Sequence, residues 1–147
     1  MLEHPDQLTL MRDRPEAVPD AVEELLRYLS VVQNGQTRTA VTEITIGRTT
    51  IAPGDLVFCS LPSANRAVDL LDDGAELDLA RGQVAHLAFG HGIHHRLGAP
   101  LARMELRIAL PALLRRFPGL RLAVPAEDVS FRTMSQVYGV HTLPVAW

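Results

Sequence analysis

The hydrophobic period of this chain changes twice, and that change limits the fold more than any other feature. Val22, Leu25, Leu26 and Leu29 recur at i, i+3, i+4 and i+7, which is one apolar stripe on a helix opened by Pro19-Asp20 and running over 19–30. Between 37 and 60 the period becomes two. Ile44 and Ile46 alternate with Thr45, Gly47-Arg48 turns the chain, Ile51 resumes, and Pro53-Gly54 turns it again before Leu56-Val57-Phe58. A helical period returns from Pro100, with Leu101, Met104, Ile108 and Leu113-Leu114 forming an apolar side and Arg103, Glu105 and Arg107 a charged one. Pro111 removes a hydrogen bond within that helix and is expected to kink it, and Phe117-Pro118-Gly119 stops it. Helices set apart from short antiparallel strands define an α+β class, read as a single domain over 1–147.

The remaining segments are weaker. Pro5-Asp6 opens a short N-terminal helix, 12–18 is a connector, and 63–71 holds a further short helix. The stretch 72–84 is acidic and irregular, and the tail from 120 to 147 reads as short strands turned at Pro125, Gly139 and Pro144, with Tyr138 and His141 serving strand packing. Cys59, the one cysteine, excludes an internal disulfide framework, suits a reducing cytoplasm, and is read as a small buried apolar residue. The net charge of −3 gives no electrostatic basis for binding nucleic acid. No apolar run reaches the roughly 20 residues a membrane span needs.

Several short patterns gain weight from their order. Glu24-Leu25-Leu26-Arg27 sets an acid and a base on one helix face. Arg38-Thr39-Ala40 and Ala64-Asn65-Arg66 follow. Then comes His86-Leu87-Ala88-Phe89-Gly90-His91-Gly92-Ile93-His94-His95-Arg96-Leu97-Gly98-Ala99-Pro100-Leu101-Ala102-Arg103-Met104-Glu105-Leu106, and the chain ends on Tyr138-Gly139-Val140-His141-Thr142-Leu143-Pro144-Val145. In this order and spacing the chain resembles the C-terminal part of a bacterial cytochrome P450, over nearly its whole length. The resemblance implies that Glu24 and Arg27 lie on the helix behind the haem. It implies that Arg38 and His94 occupy the propionate-holding positions, and that 89–98 is the loop wrapping the proximal side of the iron.

Three departures alter what the resemblance implies. Arg96 stands where the family has its iron-ligating cysteine, whose thiolate favours O–O cleavage; a guanidinium keeps its proton and has no lone pair for a metal. Glu76 stands where the family has an arginine paired to the motif glutamate, so two carboxylates are expected around Arg27, with Arg66 or Arg81 as alternative sources of the missing charge. The resemblance also implies that roughly the N-terminal two-thirds of the family fold, including the distal helix, is missing. Helices 19–30 and 100–117 are therefore expected to leave apolar sides uncovered, which predicts a homodimer or an obligate partner.

These features exclude a working monooxygenase and imply no haem cofactor. His91, His94 and His95 are read as descended from the haem loop and not as a metal site, because no cysteine or spaced acid completes a ligand set. Arg38, His94, His95 and Arg96 are candidates for a cationic cup holding a small acidic ligand. The leading functional expectation is a haem-free auxiliary protein that binds another enzyme in natural-product biosynthesis. The alternative is a repurposed non-redox enzyme (a cyclase, isomerase or dehydratase) with His94, His95 or Arg96 as catalytic candidates and Arg38 or Arg96 as an electrostatic clamp. A decayed gene fragment that still folds is a third reading.

Overall fold

The computed structural model describes residues 1–33, 37–92 and 97–147. Helix α1, Pro5–Asp13, begins with proline in its first turn, where the missing N–H costs nothing. A short 3-10 turn, Pro15–Ala17, fills the connector and leads into α2, Val18–Leu29, which carries Pro19 in its first turn and Asp20 against the helix dipole. Its stripe of Val18, Ala21, Val22 and Leu25 is buried against Met11 of α1, Leu79 and Leu114. Of the apolar stripe expected on this helix, Val22 and Leu25 are buried within the chain and Leu26 is part-buried, whereas Leu29 stays 48% exposed. Ser30 ends α2 in the left-handed region, φ 40°, and its hydroxyl donates to the Arg27 carbonyl.

The alternating segment forms two separate two-stranded antiparallel ribbons. β1, Thr37–Thr39, pairs with β4, Leu56–Phe58, and β2, Ile44–Ile46, pairs with β3, Thr49–Ile51. Thr37 faces Phe58 and Arg38 faces Val57. Both ribbons stand largely in solvent, and Cys59, just past β4, is exposed and not buried as expected from its residue type. The helix expected over 63–71 is one short turn, α3, Leu61–Asn65, capped by the Ser60 hydroxyl, which accepts from the Ser63 N–H. In the tail, β5, Arg121–Leu122, pairs with β6, Val145–Ala146, and the Phe131 and Tyr138 rings stack 5.2 Å apart.

The longest element is α4, Ala99–Arg116, which continues as helix through Pro111. Its inward face differs from the one the sequence predicts. Leu106, Leu110 and Leu114 pack on the core, whereas Leu101, Met104 and Ile108 are exposed. Arg103 and Arg107, assigned to a solvated charged side, reach across to α2 instead. α4 packs on both α1 and α2, so the core lies where the three helices meet.

Candidate functional site

Among the described residues, Arg27 is the largest fully buried side chain. A guanidinium carries five N–H donors, and a buried one is tolerated only when they are used. Here all five are. Nε donates to Glu24 Oε2 at 2.6 Å and Nη2 to Glu24 Oε1 at 2.8 Å, the forked pairing that helical i, i+3 spacing allows. Nη1 donates to the carbonyls of Asn65 at 2.8 Å and Gly74 at 2.7 Å, and Nη2 also to that of Glu76 at 3.0 Å. Gly74 is needed for this approach: a Cβ there would lie 2.9 Å from the Arg66 carbonyl oxygen.

Glu24 completes the network by accepting from the Asp78 N–H at 3.1 Å and from Arg81 Nε at 3.3 Å. Two cations therefore surround Glu24, and Arg81 is the second of them. The expected pair of carboxylates around Arg27 does not form: Glu76 is exposed and joins through its backbone carbonyl, which accepts from both arginines. Arg66 is used elsewhere, donating to the Tyr28 carbonyl at 2.7 Å and lying over the Tyr28 ring. Asn65, also fully buried, links this network to the loop that follows. Its amide donates to Ser30 Oγ at 2.7 Å and its Oδ1 accepts from the Leu87 N–H at 2.7 Å, just before Phe89-Gly90. Gly90 there has φ +80°, a conformation that other residues resist.

A second cluster was not read from the sequence. Glu23, the neighbour of Glu24, faces α4, where Arg103 Nε approaches both its oxygens at 2.8 and 3.0 Å and Arg107 donates at 3.1 Å. His86 Nε2 lies 3.1 Å from the same carboxylate, and Arg103 also covers the Phe89 ring at 4.8 Å. The available signal was two arginines one helical turn apart opposite a doubled glutamate. Glu23, His86, Arg103 and Arg107 line an open cleft together with Gln83, Val84 and Ala85.

Burial alone would raise both glutamate carboxyls. The hydrogen bonds from Arg103 and His86 to Glu23, and from Arg27, Asp78 and Arg81 to Glu24, outweigh it and hold both below the ordinary value. A depressed folded-state pKa adds stability that is fully present above the unfolded value, about 4.3, and is lost as pH falls through the folded one. Urea midpoints measured downward from pH 7 are therefore expected to hold steady and then drop below roughly pH 4.3. Glu23→Gln is expected to shallow that drop, and an unchanged acid limb would count against the assignment.

Of the other candidates, Arg38 sits exposed in β1. His94, His95 and Arg96 lie outside the described residues. Among the described residues no group of His, Cys, Asp or Glu stands ready to hold a metal ion, and no helix is long and apolar enough to cross a membrane.

The chain belongs to the cytochrome P450 family, whose family model matches residues 11–127. Cytochrome P450-SU2 of Streptomyces griseolus is 52% identical over the whole chain, which spans 36% of that relative. Nocardicin C N-oxygenase of Nocardia uniformis subsp. tsuyamanensis is 48% identical, with 100% of this chain and 37% of the relative covered. Among solved structures, the complex of the X-domain and OxyB from teicoplanin biosynthesis matches with TM-score 0.91 and 49% identity, over 99% of this chain and 39% of that one. The chain thus spans under two-fifths of the length of each of these three.

The donor set does not fit a haem thiolate. The loop that resembles the family's ligand loop carries Arg96 at the ligand position, and the sole cysteine is Cys59, exposed just past β4.

Proposed function

We propose that this chain is a haem-free, non-oxygenase P450-like protein of the cytoplasm that acts by binding a partner protein in natural-product biosynthesis. The observation carrying this reading is Arg96: a permanently protonated guanidinium has no electron pair to give iron, so the thiolate's part in oxygen cleavage has no donor. The described residues support a binding role over a chemical one. Arg27 and Glu24 are fully engaged with each other and with backbone groups, and serve to clamp α3 and the 65–87 segment onto α2. Glu23 is likewise held by Arg103 and Arg107. OxyB from teicoplanin biosynthesis, a longer P450 similar to this chain, is solved in complex with an X-domain, so partner binding occurs among its relatives.

The test is an absorption spectrum of the purified protein after haem is offered, reduced and exposed to carbon monoxide. No thiolate-type carbonyl band is expected. Arg96→Cys, which restores the donor, provides the comparison. A thiolate band from the unaltered chain would refute the proposal.

A further inference from the structure

The cleft between α2 and α4 holds more hydrogen-bond donors than the protein uses. Glu23 has its acceptor capacity filled: Arg103 Nε reaches both its oxygens, Arg103 Nη2 and Arg107 Nη2 donate at 2.9 and 3.1 Å, and His86 adds a further donor. His86 Nδ1 accepts from the Ala88 N–H at 3.2 Å, so the ring proton sits on Nε2, facing Glu23. Among the described residues, Arg103 Nη1 and Arg107 Nε and Nη1 have no protein acceptor. Arg103 is fixed both by Glu23 and by the Phe89 ring it covers, so its free edge is held in place before any ligand arrives.

The charges do not cancel. Glu23 is held ionised by its hydrogen bonds, and two guanidiniums against one carboxylate leave a single positive charge in excess. The Glu23 side chain is 14% exposed and that of Arg107 41%, so the acid lies deeper and the spare cation nearer solvent. The cleft is also lined by the stretch 83–86, which belongs to no helix or strand and whose N–H and C=O groups make no backbone–backbone hydrogen bond. These groups surround a space of about 520 Å3, within the range of small-molecule sites.

We infer that this cleft binds a small carboxylic acid carrying an amide beside its carboxylate, the chemistry of an N-acylated amino acid. The carboxylate takes the unspent edges of Arg103 and Arg107, which suit a planar acceptor with two oxygens. One negative charge matches the excess, whereas the second charge of a phosphate monoester would be set against Glu23. The ligand's amide pairs with the open N–H and C=O groups of 83–86. An acidic ligand was expected at Arg38, His94 and Arg96; this site is made by other residues. It goes beyond the partner-binding reading and does not depend on it.

The test titrates the full chain with N-acetylalanine at neutral pH and follows backbone and arginine side-chain NMR signals. Saturating shifts are expected at 83–86 and at the Arg107 Nε–H, with Kd on the order of 1 mM or below. N-acetylalaninamide, which lacks the carboxylate, is expected not to saturate. Arg107→Met leaves Glu23 bound to Arg103 and His86 and so is compatible with folding. It is expected to weaken binding by about 10-fold or more, and Arg107→Lys to recover part of the loss. Arg48→Met, in the exposed turn between β2 and β3, removes the same charge elsewhere and is expected to leave binding unchanged. The amide signals of α2 report that each variant is folded. Shifts that never saturate, equal binding of the amide or of inorganic phosphate, or equal losses at Arg107 and Arg48 would each overturn the inference.

Discussion

Replacing Arg27 by alanine is expected to lower the unfolding free energy by about 3–5 kcal/mol, the cost of breaking a buried ion pair by removing one partner. The size follows from what is left behind. Glu24 keeps Arg81 and the Asp78 N–H but loses its two shortest bonds, while the carbonyls of Asn65, Gly74 and Glu76 lose the donor that gathered them. Against a total stability of roughly 5–15 kcal/mol, a loss of this size leaves little or no folded protein at moderate temperature. Arg27→Lys keeps the charge but offers three donors with no fork, and is expected to recover only part of the difference. Urea or thermal unfolding of the three proteins checks the order. An alanine variant within about 1 kcal/mol of the parent would mean that Arg27 is not the clamp, since surface substitutions alone rarely exceed about 0.5 kcal/mol.

The second large effect is at Leu79. Leu79→Ala is expected to cost about 2–5 kcal/mol, as for other fully buried leucines whose surroundings collapse only in part. Its side chain fills the space among Met11, Val22, Leu25 and Leu114. Its N–H donates to Gln7 Oε1 at 2.7 Å, a bond that alanine keeps, so the measured loss is one of packing. Ile108→Ala, on the outward face of α4, is the matched control and is expected to change stability by less than about 0.5 kcal/mol in the isolated chain. Equal losses at the two positions would contradict the assignment of inner and outer faces.

These two residues mark how far the sequence could be read. Glu24 and Arg27 were legible because helical spacing alone puts them on one face. The strands at Ile44–Ile46 and Thr49–Ile51 were legible because local alternation and a glycine turn decide them. Leu79 was not, because it stands in an acidic stretch with no period of its own. Its burial comes from Asp78 and Leu79 being tied by their N–H groups to Glu24 and Gln7, residues more than fifty positions earlier. Glu76 misled for the same reason: its alignment with a charged position says nothing about whether the side chain or the carbonyl turns inward. Cys59 was assigned to the interior by residue type, although the strand before it has little to pack against.

The sequence by itself determined the family, the helical and strand periods, the placement of Glu24 and Arg27 on one helix face and the absence of a cysteine at the ligand position, because each depends on residue chemistry, on motif order or on neighbours within one turn. Only the tertiary structure decided that Arg81 is the second cation at Glu24, that Glu23 ties α2 to Arg103 and Arg107, and which apolar face of α4 is inside. A helix with leucine, isoleucine and methionine on two sides carries no local mark of which side meets the core. That choice is made by where the rest of the chain packs.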